Sequence, residues 1–257
     1  MVKGLYTAYT GLLNEQRRMD VITNNLANSA TTGYKKEGAT SQAFDEVLAY
    51  KIKDNLDAPF VSRRLGGISM GVKMGETYTD YSQGAMRDTG NTFDIAISGS
   101  GFFTVDFTNK AGVESTKYTR DGSFTLTKEG YLVTKDGDFV QGTQGDIRVD
   151  PLEETSIDDM GNIYQNGQIV ATILITDFED YNYLEHYGEN YYQPVEGAQE
   201  REPDALLLSG YLEASNVQVV SEMVDMIAIS RAYETNQKIV QTYDSSLQIA
   251  ANDLGKV

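Results

Sequence analysis

The chain has no cysteine, no tryptophan, a single histidine and only four prolines in 257 residues. Without cysteine, disulfides, thiolate nucleophiles and thiolate metal sites are excluded. The lone His186 has no thiol or second imidazole to complete a zinc site, and any Ser-His-Asp triad would have to use it. Neither Ser100 nor Ser123 has the surroundings of a nucleophile elbow. Basic charge is also scarce: 21 Lys and Arg stand against 38 Asp and Glu, a net charge of −17. The only tight basic pairs are Arg17-Arg18, Lys35-Lys36 and Arg63-Arg64, so the stripe needed to grip nucleic acid is missing. No run approaches the ~20 apolar residues of a spanning helix, so no membrane insertion is expected. Met1-Val2-Lys3-Gly4-Leu5 lacks an apolar h-region, so no cleaved secretory signal is expected either.

What is present is enough to fold. Hydrophobic residues make up 40% of the chain, which argues against wholesale disorder. Seventeen tyrosines and nine phenylalanines suit half-buried strands. The acid is concentrated between residues 31 and 210. At the start, Lys3, Arg17 and Arg18 slightly outnumber Glu15 and Asp20. Copies of the molecule therefore repel through their middles much more than through their ends.

Both ends carry heptads. Leu5, Leu12, Met19 and Leu26 recur every seven residues, with Tyr9 and Ile22 beside them. This predicts a helix from about Leu5 to Asn28, roughly 36 Å long, with a stop at Gly33. Near the other end Leu212, Val219, Met226, Tyr233, Val240, Leu247 and Leu254 form a second column. Its flank mixes apolar Met223 with polar Ser230, Gln237 and Asp244. The seam is therefore one-sided and predicts packing against several neighbours. The expected helix runs from about Asn216 to Leu254.

In the middle the period falls from seven to two. Residues 93–105 read as two strands joined by a glycine turn. Asp121-Gly122, Glu129-Gly130, Asp136-Gly137 and Asn166-Gly167 separate short apolar runs as hairpin turns do. Residues 44–75 read as an extended arm with one hairpin, and the Tyr- and Glu-rich tract 178–205 reads as a surface loop. The expected class is α+β: an antiparallel all-β domain inserted between N- and C-terminal helices that pair as a coiled coil. The expected divisions are an N-terminal helix at 1–32, an arm at 33–75, an outer β domain at 76–210 and a C-terminal helix at 211–257.

Met19-Asp20-Val21-Ile22-Thr23-Asn24-Asn25-Leu26-Ala27-Asn28, followed by Thr31-Thr32-Gly33-Tyr34-Lys35, resembles the N-terminal signature of flagellar rod, hook and hook-associated proteins. Gly210-Tyr211-Leu212-Glu213-Ala214-Ser215-Asn216-Val217, with Arg231-Ala232-Tyr233-Glu234-Thr235-Asn236, resembles the matching C-terminal signature. Thr89-Gly90-Asn91, Gly101-Phe102-Phe103 and Tyr118-Thr119-Arg120-Asp121-Gly122 resemble the centre of the rod proteins; the chain length, the arm at 44–75 and Glu213-Ala214-Ser215-Asn216 resemble the distal-rod type more than the proximal.

The resemblance implies a structural subunit of the basal-body rod with a hook-like β domain. Such a subunit polymerises with itself and with other rod subunits and the hook protein, and transmits torque from motor to hook. It is exported unfolded through the flagellar type III apparatus without cleavage, and peptidoglycan and outer-ring proteins are among its implied neighbours. No enzyme activity, cofactor or metal is expected. The interface would comprise Leu5, Tyr9, Leu12, Met19, Ile22 and Leu26 of the first helix. From the second it would take Leu212, Val219, Met223, Met226, Tyr233, Val240, Leu247 and Leu254. The motif residues are Asn24, Asn25, Leu26, Ala27, Asn28, Gly33, Ser215, Asn216, Arg231, Tyr233 and Asn236.

Other chemistry reads as structural. Gly99-Ser100-Gly101 lacks the third glycine and the helix of a dinucleotide loop, and reads as a hairpin turn. Glu153-Glu154 and Asp158-Asp159 read as solvated acids. Asp136-Gly137-Asp138 has no closing glutamate for calcium. The competing class is a secreted β module that binds cell-wall or envelope components through the tyrosines of 181–192. An acidic hydrolase using Asp158 or His186 is a third.

Overall fold

A computed structural model describes residues 2–50, 64–108, 112–188 and 190–254, and these divide into two units. The first unit contains helix α1 (Val2–Ala27), the segment Glu37–Thr79 and helix α2 (Val219–Leu254). The second contains residues 27–36 and 80–218. Both helices and the inserted antiparallel strands fit the α+β class expected from the change of period.

In the first unit α2 continues for 36 residues with neither glycine nor proline to break it. The expected arm is a hairpin: Glu37–Ala43 pairs antiparallel with Val72–Thr79 through a bulge between Ala39 and Ser41. Val47–Tyr50 pairs with Arg64–Ile68 beyond it. The rest of the arm, 51–63, lies outside the described residues.

The β unit is built on antiparallel pairing throughout. Its central strand Phe102–Thr108 pairs with Glu114–Thr119 on one side and with Phe139–Gly142 and Ile175–Phe178 on the other. Alternation along that strand sends Phe102 and Phe103 to opposite faces. Phe103 joins the main core with Ile95, Ile97, Val105, Phe124 and Val140. Phe102 joins an aromatic cluster with Tyr118, Phe178 and Tyr192. A three-stranded meander, Thr155–Ile157, Asn162–Gln165 and Gln168–Thr172, turns at Asn166-Gly167 with both residues at positive φ, as a tight hairpin requires.

Four sequence expectations change. Ile95–Gly99 and Phe102–Thr108 are both strands, but they do not pair with each other. Ile95–Gly99 pairs with Ala205–Ser209 instead, and Gly99-Ser100-Gly101 carries the chain from one sheet to another. Asp121-Gly122 is not a hairpin turn. A Cβ on Gly122 would collide with the Ile95 carbonyl oxygen, so glycine is required there for close backbone approach. The tract 178–205 is no surface loop: Leu184–Tyr187 and Tyr191–Pro194 extend the main sheet, and Tyr192 is buried. Tyr191 joins the main core and Tyr192 the aromatic cluster, so the strand is buried on both faces and shows no alternation that the sequence could reveal. Finally, α2 begins at Val219, not near 211. Leu212 lies in strand Tyr211–Glu213, paired with Met86–Asp88, and is buried in the β unit. It shares the heptad spacing with α2 but not its helix.

Candidate assembly interface

The two helices run antiparallel in one register. A Cβ on Gly4 would collide with the Tyr243 hydroxyl, and one on Gly11 would lie 3.1 Å from Asn236 Nδ2. Farther along, Asn25 Nδ2 donates to Glu222 Oε2 at 3.3 Å. Residue numbers at these three crossings share one sum, as antiparallel helices require. The α1 positions, Gly4, Gly11 and Asn25, lie in one heptad column, so they share a face. Ala8 lies on the same face and is buried. Small side chains on α1 thus receive larger ones from α2.

This register relocates the expected seam. On α2 the inner columns are Met226, Tyr233 and Val240, half-buried, together with Glu222, Ile229, Asn236 and Tyr243. Alternate steps of four and three connect them, the spacing of a two-column seam. Polar Glu222 and Asn236 mask the second column in the sequence; the flank running from Met223 to Asp244 lies one residue away from it. On α1, Leu5, Leu12, Met19, Ile22 and Leu26 are half-buried. Tyr9, Val219, Met223 and Leu247 are exposed, and Leu254 ends the helix. Beside them stand residues that the columns missed: Tyr6 and Leu13 on α1, and Val220, Val224 and Ile227 on α2, all exposed.

The signature residues do something else. Asn25 is buried, and its side chain pairs with the backbone of Glu37: Nδ2 donates to the Glu37 carbonyl at 2.8 Å and Oδ1 accepts from its N–H at 2.9 Å. This fixes where the hairpin leaves α1. Asn28 accepts from the Thr31 hydroxyl at 3.2 Å in the turn that follows. Asn24, Ala27 and Arg231 are exposed.

Within the β unit the two signatures meet as a clasp. Lys35 Nζ donates to Glu213 Oε1 at 2.6 Å and to the Ser82 carbonyl at 2.9 Å. The Gly84 N–H donates to the same Glu213 oxygen at 2.8 Å, and Arg120 Nη1 lies 3.4 Å from Oε2. Glu213 is fully buried, with Lys35 1% and Arg120 4% exposed at the side chain. Burial pushes the Lys35 ammonium below its ordinary pKa, and the Glu213 carboxylate offsets this only in part.

Gly33 has φ of 69° and donates its N–H to the Glu213 carbonyl at 2.8 Å. A Cβ there would lie 2.5 Å from the Arg120 carbonyl carbon. Asn216 Oδ1 accepts from the Lys36 N–H at 2.7 Å, while its Nδ2 donates to the Asp80 carbonyl at 2.8 Å. Ser215 accepts from the Val217 N–H at 3.3 Å, turning the chain before α2.

Of the candidate catalytic acids, Asp158 organises a turn. Asp158 accepts from the N–H groups of Met160 and Asn162 and from the Tyr164 hydroxyl. Burial favours its protonated form, but those bonds outweigh it and hold the carboxyl below its ordinary range. Asp138 accepts from the Tyr191 hydroxyl at 2.7 Å. His186 stands edge-on to the Tyr192 ring, in a strand. Among the described residues no group of three or more His, Asp or Glu is placed to hold a metal, and no helix is long and apolar enough to cross a membrane.

Comparison with known proteins points one way. Residues 5–35 match the profile of the flagella basal body rod protein family. Residues 96–171 match the flagellar hook protein FlgE/F/G D1 domain, and 208–254 the flagellar basal body rod FlgEFG protein C-terminal. The chain is 30% identical to the flagellar hook-basal body complex protein FlhO of Bacillus subtilis, over all of both chains. It is 33% identical to the flagellar basal-body rod protein FlgG of Buchnera aphidicola subsp. Acyrthosiphon pisum, over 96% of this chain and 98% of that one. It is 32% identical to the flagellar basal-body rod protein FlgF of Caulobacter vibrioides, over the whole of both.

Proposed function

The chain belongs to the flagellar basal-body rod protein family and is a structural subunit of that rod, and from this premise we propose that its helical unit is the part that polymerises. The observation that carries this reading is the apolar surface left on the outward helix faces, where Val220 is 77% and Val224 61% exposed. Burying a side chain of this kind stabilises by roughly 1.5–3 kcal/mol. An exposed ion pair contributes ~0–1 kcal/mol, so apolar packing dominates the association. The acidic β unit is a poor candidate for that contact, because like charges brought together there would oppose association.

The proposal extends to the assembly. The tube of subunits, continuous with neighbouring rod subunits and the hook protein, transmits torque. The subunit performs no reaction of its own. It sits toward the distal end of the rod, and it reaches the basal body through the type III route without cleavage. Electron microscopy of basal bodies carrying a tagged chain tests the position. The mass of the subunit recovered from them tests the export route, since a chain shortened at its start sinks it. The alternative of an envelope-binding module has no support among the relatives.

The central test is a chain lacking 219–257. It should retain the circular dichroism of the β unit and stay monomeric in sedimentation at concentrations where the full chain forms pelletable polymer. Tubes formed by the truncated chain would overturn the proposal.

A further inference from the structure

The outward faces of the helices carry two apolar triplets of matched spacing. On α1, Tyr6, Tyr9 and Leu13 are 47%, 58% and 37% exposed; on α2, Val220, Val224 and Ile227 are 77%, 61% and 53% exposed. Each triplet extends ~10 Å along its helix. The first is spaced by three and then four residues, the second by four and then three. Laid antiparallel, they therefore meet member for member: Leu13 with Val220, Tyr9 with Val224, and Tyr6 with Ile227.

Within one subunit the triplets cannot meet. The register that sets Gly11 beside Asn236 places Tyr9 at the level of Lys238, about fourteen residues or ~21 Å along the pair from Val224. The triplets also lie on the sides of their helices turned away from the α1–α2 contact. Charge favours an α1–α2 contact between copies over one between like helices. On α1, Lys3, Arg17 and Arg18 outnumber Glu15 and Asp20, whereas on α2 five acids from Glu222 to Asp253 outnumber Arg231 and Lys238.

We propose that a second copy, displaced ~21 Å along the helix pair, seats its Tyr6–Tyr9–Leu13 face on Val220–Val224–Ile227 of the first. The contact is heterologous: each copy offers one triplet forward and one back, so growth is open-ended and needs no second kind of interface in this direction. The inference rests on the helical unit being the polymerising part, and adds the partner surface and its stagger.

The absence of cysteine makes the test direct. Two single variants, Tyr9→Cys and Val224→Cys, differing in a small tag, are mixed, allowed to polymerise and oxidised. A disulfide needs Cα atoms within roughly 4.4–6.8 Å, so a mixed dimer reports this register. The pair Leu13→Cys and Val220→Cys should behave alike, while Tyr9→Cys with Lys238→Cys should give no mixed dimer. If polymer forms but Tyr9→Cys cross-links to itself or to Lys238→Cys instead, the stagger is wrong and the polymerising role stands. If the unaltered chain forms no polymer at any concentration, the polymerising role fails and takes the stagger with it.

Discussion

Replacing Glu213 by glutamine keeps the volume of the side chain and removes its charge from between two buried cations. Lys35 and Arg120, 1% and 4% exposed, would then share no counter-ion at that point. Breaking a buried pair by deleting one partner typically costs ~3–5 kcal/mol, because the remaining charge has lost its water without compensation. For a unit of roughly 150 residues, each kcal/mol lowers Tm by about 2–4 °C, so Glu213→Gln should melt ~6–20 °C earlier. Tyrosine absorbance and near-ultraviolet circular dichroism follow the β unit, whose buried rings include Tyr34, Tyr118 and Tyr192. Adding Lys35→Met should restore part of the loss, giving a coupling of about 1 kcal/mol or more in a double-mutant cycle. A Glu213→Gln protein within ~1 kcal/mol of the parent, or strict additivity with Lys35→Met, would refute the clasp as an energetic unit.

Two further outcomes follow from the geometry. Tyr118 is buried and its hydroxyl donates to Glu200 at 3.2 Å; burial, and then the Glu200 charge, push its pKa from 10.0 up to about 12. The fold therefore favours the protonated phenol. Its contribution, on the order of 3 kcal/mol, is present below pH 10 and lost as pH climbs toward 12, and Tyr118→Phe should remove that part of the slope in an alkaline urea titration. Gly11→Leu should overfill the α1–α2 crossing at Asn236 and destabilise the helix pair by ~1–3 kcal/mol, seen as loss of helical circular dichroism on mild heating while the β signal persists.

The sequence made the two helices, the antiparallel middle and the family legible, because periods of seven and two and the Asn-Gly turn are local signals. The partners of those elements were not local. Heptad spacing carried Leu212 into the α2 column, although Gly210 and the pairing of Tyr211–Glu213 with Met86–Asp88 place it in a sheet. The inner seam lies one residue away from the flank that the heptads suggest, because Asn236 and Glu222 look like surface positions although Gly11 and Asn25 stand opposite them. The motif residues Asn25, Gly33 and Asn216 carry no role that the sequence assigns. In the structure all three hydrogen-bond to backbone within their own subunit, and nothing in spacing alone announces that.

Lys35 and Glu213 stand 178 positions apart along the backbone. A chain emerging from the ribosome presents its lysine long before the glutamate that neutralises it is made, and closing so wide a loop carries an entropic penalty that early segments cannot offset. The Lys35–Glu213 latch thus cannot close until nearly the whole chain has been made.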